Sequence, residues 1–336
     1  MKRIMLIATG GTIASGYTED GLAPKFKAAE LLEYVEEYRE FCSVEVLQPF
    51  NLDSTNVCGK HWLELAAIIE KHYEEFDGFV ICHGTDTMAF TAAALSYLVQ
   101  NSTRPIIITG SQKPINLPVT DARTNLLDSL RFASEPKAHG VNIVFGGNVI
   151  AGTRAKKERS KSYNAFSSIN YPSVAVIRDG RIVFYIDDKE KAEEKVLFYH
   201  RLNQRVLLLK LVPGMDGSIL DRLFDCYDGV IIEAFGVGGF PEYGTIPFYQ
   251  EIRRWTDAGK IVMLATQVTH EGSDMELYQV GKAIKEDFNL MEAYDMTLEA
   301  TVTKTMWAMG LASDAEEFRR LFYRTVNHDI LLTPEE

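Results

Sequence analysis

The 336-residue chain carries 35 lysines and arginines against 47 aspartates and glutamates, a formal net charge of −12. That acidity argues against nucleic acid as a partner, since phosphate backbones are bound through basic surface. Apolar residues make up 46% and charged residues 24%, the balance of a soluble globular protein long enough for two domains.

The first apolar run, Ile4–Ala8, is too short for a secretory signal. No later stretch approaches the roughly 20 apolar residues of a membrane span, so a cytoplasmic location is expected. Ile4–Ile7 reads as a buried strand and opens into Ala8-Thr9-Gly10-Gly11-Thr12-Ile13-Ala14-Ser15. The paired glycines allow a sharp turn and leave room for a small ligand. Glu30–Arg39 is expected to be helical and Val44–Leu47 a strand, followed by the polar loop Leu52-Asp53-Ser54-Thr55-Asn56. Trp62, Leu65, Ala66, Ile69 and Tyr73 recur at helical spacing. The strand Gly78–Cys82 then leads into His83-Gly84-Thr85-Asp86-Thr87-Met88 and a helix through Ala89–Val99.

Strands at Pro105–Thr109 and Val141–Phe145 bracket a helix at Asp121–Ala133, and this alternation implies a parallel sheet with helices on both faces. Near residue 174 the pattern changes. Val174–Ile177 and Arg181–Ile186 flank Asp179-Gly180, a hairpin signal. The charged stretch Asp187–Lys195 has linker composition, and strands resume at Val206–Leu209, Gly229–Ile232 and Lys260–Leu264. The expected fold is therefore two α/β domains: a larger N-terminal parallel-sheet (flavodoxin-like) domain over 1–186, a linker over 187–204, and a smaller α/β domain over 205–336.

The chemistry gathers at the carboxyl ends of strands, where open α/β sheets bind ligands. GxGxxG fails at Thr12, and the P-loop spacing Gly11–Gly16 is followed by Tyr17 in place of the lysine. A tight turn explains the glycines but not the hydroxyl, and the two threonine loops together suggest an enzyme with a threonine nucleophile. Asp86 suits either a helix cap or a substrate ammonium, and His83 reads as locally hydrogen-bonded. A threonine nucleophile needs a base. A lysine of Arg154-Ala155-Lys156-Lys157-Glu158-Arg159 is a candidate within an otherwise solvated loop; spacing leaves Lys156 and Lys157 open. The histidines show no metal-ligand spacing, so neither metal nor cofactor is expected. Cys42, Cys58, Cys82 and Cys226 read as reduced thiols.

With ATGGTIAS, DGFVICHGTDTMAFTAAALS, ITGSQKP, RAKKERSKSYNAFSSIN and EAFGVGG in hand, nearly the whole chain resembles the bacterial-type threonine L-asparaginases, most closely their cytoplasmic type I branch. The resemblance implies hydrolysis of L-asparagine to L-aspartate and ammonia through an acyl-threonine, with glutamine a minor substrate. It implies Thr12 as nucleophile, Thr85 with Asp86 and Lys157 (rather than Lys156) as a second catalytic unit, and Asp86 on the substrate ammonium. Ser54 and Thr55, with Asn56 beside them, would hold the substrate carboxylate. Backbone amides near Thr85 and the Ser111-Gln112 segment are candidate oxyanion donors. Dimers or tetramers are implied.

Three departures stand out. The family tyrosine ten residues past the nucleophile is Leu22 here, which makes Tyr17 the candidate to assist Thr12. Gly239 replaces an asparagine of GVGN. Positions used for allosteric asparagine binding in some members hold Lys156 and Val268. Rival readings are the amidase subunit of a tRNA-dependent amidotransferase, a non-catalytic amino-acid sensor, and a nucleotide- or flavin-binding protein.

Overall fold

The computed structural model describes the chain except for residues 19, 20, 25, 187–194, 242, 243, 245, 278–287, 289 and 333–336, and the side chains of 17–25. The chain forms two compact units, Met1–His200 and Arg201–Glu336. Of the expected linker, 187–194 lies outside the described residues.

The first unit contains β1 (Lys2–Ala8), β2 (Ser15–Thr18), β3 (Gly21–Pro24), β4 (Cys42–Leu47), β5 (Gly78–Cys82), β6 (Val99–Gln100), β7 (Ile106–Thr109), β8 (Val141–Phe145), β9 (Asn148–Ala151), β10 (Ala155–Lys157), β11 (Phe166–Ser168), β12 (Ala175–Arg178), β13 (Arg181–Phe184) and β14 (Leu197–Phe198). Its main sheet has eight strands in the order β13-β12-β9-β8-β7-β5-β1-β4. The segment β4-β1-β5-β7-β8 is parallel. Counted along the chain, this segment has the flavodoxin order, whose switch point falls between its first and third strands. Here those strands are β1 and β5, the two that lead into Thr12 and Thr85.

The sheet is mixed rather than all-parallel. β9, β12 and β13 add on antiparallel to their neighbours. The reversal after β8 occurs at Gly146-Gly147, whose φ values of 58° and 72° make a two-residue turn matched to strand twist. Asp179-Gly180 repeats this geometry at φ 50° and 72° and closes the hairpin predicted there.

The helices are α1 (Ala28–Leu32), α2 (Gly59–His72), α3 (Met88–Leu98) and α4 (Ala122–Ala133). The helix expected over Glu30–Arg39 is broken. α1 stops early and a 3-10 turn covers Glu36–Glu40, because Val35, buried in the core, adopts φ −142° and ψ 42°. α3 is apolar nearly all round (MAFTAAALSYL) and correspondingly buried. β5 is buried at every position, as a central parallel strand should be.

The second unit has a four-stranded parallel sheet of β15 (Val206–Lys210), β16 (Gly229–Ala234), β17 (Ile261–Thr266) and β18 (Met291–Glu292). α5 (Ser218–Leu223) and α6 (Phe248–Asp257) pack on it, with Trp255 fully buried.

Candidate active site

The loops that leave β1, β4 and β5 meet with almost no side chain between them. Gly11 has φ 80°, and a Cβ there would lie 2.4 Å from Gly84 N and 2.5 Å from Gly84 Cα. At Gly10 a Cβ would fall 2.4 Å from the Leu52 carbonyl, and at Gly84 it would fall 2.6 Å from Ser54 Oγ. Hydrogen bonds hold these contacts: Gly11 N to Leu52 O at 3.1 Å, Leu52 N to Thr9 O at 2.8 Å, and Thr87 Oγ1 to Ser54 O at 2.7 Å. Thr9 fastens the end of β1 to β5 by donating its hydroxyl to Cys82 O at 2.9 Å. Gly110 serves the loop after β7, where a Cβ would lie 2.2 Å from His83 O. Gly84 and Gly110 escape sequence reading; the signal that could have found them is a glycine directly after a buried strand.

Thr12 begins a 3-10 turn, Thr12–Ala14, behind Gly11. It is half-buried, and among the described residues its hydroxyl makes no hydrogen bond. Thr85 is buried, and its Oγ1 accepts a hydrogen bond from Lys157 Nζ at 2.7 Å. The same Nζ lies 2.6 Å from Asp86 Oδ1. The run from Arg154 is therefore not a solvated loop at its start. Ala155–Lys157 forms β10, paired with β11 so that Lys157 opposes Phe166, and Arg154 is fully buried. Alternation along the strand sends Lys156 to the other face, so it is Lys157 that reaches Thr85 and Asp86. Asp86 is not the cap of α3. Thr87 occupies that position, and the Asp86 carboxylate goes to Lys157 instead.

His83 is fully buried, and its tautomer follows from its partners. Nδ1 lies 2.7 Å from Gly84 O, which only accepts, so Nδ1 carries the proton. Nε2 lies 3.0 Å from Thr91 Oγ1, which already accepts from Trp62 Nε1 at 3.0 Å and so donates to the ring. Burial drives the His83 pKa down to about 4, which keeps the ring neutral. Because a trans peptide points its C=O and N–H in opposite directions, anchoring Gly84 O inward turns Thr85 N–H the other way. Among the described residues that N–H makes no hydrogen bond.

The remaining predicted residues are distributed as follows. Ser54 is buried against Gly84, and among the described residues its hydroxyl makes no hydrogen bond. Thr55 is exposed and donates both its N–H, at 2.9 Å, and its hydroxyl, at 2.7 Å, to Asp53 Oδ1. Those two bonds hold the Asp53 carboxyl below its usual range. Asn56 is exposed on the same turn. Gln112 N is engaged by the Asp121 carboxylate at 2.9 Å, so it is no free oxyanion donor. Tyr17 pairs with Leu22 across the β2–β3 hairpin, but its side chain lies outside the described residues. Gly239 closes a turn on Phe235, and a Cβ there would meet only Phe235 O at 3.6 Å; the backbone does not demand glycine. Among the described residues no cluster of His, Cys, Asp and Glu is placed to hold a metal ion. No described helix is long and apolar enough to cross a membrane.

Two family profiles account for most of the chain: "Asparaginase, N-terminal" matches residues 3–190 and "Glutaminase/Asparaginase C-terminal domain" matches 205–322. The chain belongs to the asparaginase family. Within that family it is similar to the L-asparaginase of Thermococcus kodakarensis, 35% identical over 98% of this chain and 99% of that protein. The thermostable L-asparaginase structure from the same organism superposes with a TM-score of 0.92 at 34% identity, covering 98% of this chain and 100% of that one. A glutamyl-tRNA(Gln) amidotransferase subunit of Pyrococcus furiosus is 33% identical over 96% of this chain and 75% of its own length. An asparaginase-family fold with a mixed large sheet and a smaller parallel one is thus shared with solved relatives.

Proposed function

We propose that this protein is an L-asparagine amidohydrolase that works through an ester on Thr12, with glutamine as a minor substrate. The observation that carries the reading is Lys157 Nζ held between Thr85 Oγ1 and Asp86 Oδ1, on a loop pressed by glycine contact against the one bearing Thr12. Similarity to L-asparaginases along the whole length supports the same substrate.

In this mechanism Thr12 Oγ attacks the side-chain amide carbon while its proton leaves for a neighbouring base. The carbonyl oxygen becomes an oxyanion, and the unengaged Thr85 N–H is its candidate donor. Collapse breaks the C–N bond, and the nitrogen leaves as ammonia once protonated. A water then attacks the ester, releasing L-aspartate and restoring the Thr12 hydroxyl. Thr85 and Lys157 hold and move the protons. Asp86 also acts on the lysine. Its carboxylate lies 2.6 Å from Lys157 Nζ, holds that side chain beside Thr85 Oγ1, and is the group assigned to the substrate ammonium. Ser54, buried against Gly84 with a hydroxyl that makes no hydrogen bond among the described residues, is the loop residue assigned to the substrate carboxylate. Tyr17 remains the candidate to assist Thr12. The same reading puts the enzyme in the cytoplasm as a homo-oligomer.

The likeness to the amidotransferase subunit supports a second reading, an amidase that feeds ammonia to a tRNA-linked reaction. Ammonia release from L-asparagine and L-glutamine, measured for wild type and Thr12→Ala, separates the readings. Rapid release from asparagine that disappears in Thr12→Ala is expected. A Thr12→Ala protein with near-normal turnover removes Thr12 as nucleophile. Release from neither substrate by folded wild-type protein favours the amidotransferase or sensor reading.

A further inference from the structure

In the first unit, away from the threonine loops, α4 lines a cavity of about 600 Å³, within the size range of small-molecule sites. Its wall includes Tyr34, Arg123, Asp128, Arg131, Arg178 and Gly180. Asp128 and Arg131 stand three residues apart on α4, a spacing at which opposite charges on one helix face normally pair. They do not pair here. Asp128 is 8% exposed, and among the described residues its carboxylate makes neither hydrogen bond nor ion pair. Arg131 Nε is buried without a hydrogen-bond partner among the described residues. Its guanidinium is held in place by other means: its carbon lies 4.7 Å from the Phe41 ring centroid, and Gly180 approaches closely enough that a Cβ would lie 3.3 Å from it. Arg178 adds a third wall, braced by Nη1 bonds to Gly147 O at 2.9 Å and Ile177 O at 2.8 Å.

Burial pushes the Asp128 carboxyl up to about 6, outweighing the opposing pull of Arg131 and Arg178. A pair that existed for stability alone would close on itself, since a buried unpaired polar group is costly. A plain anion would satisfy the arginines and leave Asp128 repelled; a plain cation would do the reverse. A ligand that satisfies both carries an ammonium and a carboxylate side by side. We infer that this cavity is a second ligand site that takes an α-amino acid zwitterion, its carboxylate on Arg131 and Arg178 and its ammonium on Asp128. A planar guanidinium stacked on Phe41, without a hydrogen-bond partner among the described residues, suits carboxylate binding through its terminal nitrogens.

The test is calorimetric titration of the full chain with L-aspartate, which has no side-chain amide to be hydrolysed, alongside succinate and inorganic phosphate, which lack the ammonium. Two L-aspartate sites per chain are expected in the wild type. Asp128→Asn and Arg131→Leu should each weaken one of them at least tenfold, and Arg131→Lys should weaken it less than Arg131→Leu. Succinate and phosphate should leave that site unfilled. A titration in which no L-aspartate site responds to Asp128→Asn or Arg131→Leu overturns the inference, whereas one site that both variants abolish upholds it and counts against the proposed active site. Phosphate binding as tightly as L-aspartate makes this a simple anion site and overturns it too. Should the variants fail to fold, the wild-type stoichiometry and the three-ligand comparison still decide.

Discussion

Gly11→Ala is the sharpest probe of the glycine contact between the two threonine loops. The added methyl would sit 2.4 Å from Gly84 N and 2.5 Å from Gly84 Cα, both backbone atoms that cannot swing aside. Ordinary carbon contacts begin near 3.5 Å, so the loops must part by about 1 Å. With φ 80° and ψ 178° Gly11 occupies an extended region essentially reserved for glycine, which adds about 1–3 kcal/mol, and overpacking adds about 1–3 kcal/mol. The expected loss of stability is therefore about 2–6 kcal/mol, read by urea denaturation. A displacement of about 1 Å between reacting groups costs on the order of 100-fold in rate, so asparagine turnover should fall by about that much in protein that is still folded. Gly259→Ala supplies the control. Its φ is 73° but nothing lies within 4 Å of its Cβ, so it should cost only the left-handed about 1–2 kcal/mol and leave turnover unchanged. Gly11→Ala turnover within threefold of wild type would refute the idea that this contact aligns Thr12 with Thr85.

Lys157→Met should lower kcat by about 10²–10⁴-fold, the usual weight of a proton-transfer group, whereas Lys156→Met should stay within a few-fold; steady-state kinetics on both variants checks the strand-face assignment. His83 is neutral when folded, with its pKa lowered from 6.5 to about 4. The unfolded chain thus binds the extra proton between those values, and the stability tied to this group is fully present above pH 6.5 and lost as pH falls through about 4. The loss amounts to about 3 kcal/mol. Denaturation profiles of wild type and His83→Gln from pH 7.5 to 4 should diverge accordingly; parallel profiles would show that the ring is not held neutral. Asp128 runs the opposite way. Its carboxyl, raised to about 6, favours the folded state below the ordinary carboxylate range and loses that contribution as pH rises through about 6. Asp128→Asn should therefore stabilise the protein at pH 7.5, by about 2 kcal/mol after allowing for its wet edge; an unchanged denaturation midpoint there would count against the buried, unpaired charge.

Much of the frame is legible in the residues because burial writes itself into composition. Gly78–Cys82 is apolar at every position because it is covered on both faces, and the alternation of such runs with helical spacing yields the parallel core. Asp179-Gly180 signals its hairpin because its two residues must hold positive φ. Gly146-Gly147 carries the same signal but lacks the flanking alternation that separates a hairpin from a loop, so the antiparallel edge of the sheet is hidden. The Glu30–Arg39 helix misleads for a different reason: its spacing is helical, but packing of Val35 in the core breaks the backbone there. At the site, hydroxyls and carboxylates at strand ends are readable one loop at a time. What joins them is not. The resemblance names Lys157, but the contact that brings it to Thr85 depends on strand parity in β10, and the surroundings of His83 depend on Thr91 and Trp62, distant in sequence.

The glycine contacts also bear on how substrate preference can evolve. Where the loops after β1 and β5 touch at Gly11 and Gly84, the contact is main chain, and its hydrogen-bonding character is the same whatever neighbouring side chains become. Mutation cannot repaint that contact; it can only break it. Changes in selectivity among small amides must therefore arise from the side chains around that contact, such as Ser54 and Asp86. A laboratory selection for a new amide substrate should accumulate its substitutions there and leave Gly10, Gly11, Gly84 and Gly110 untouched.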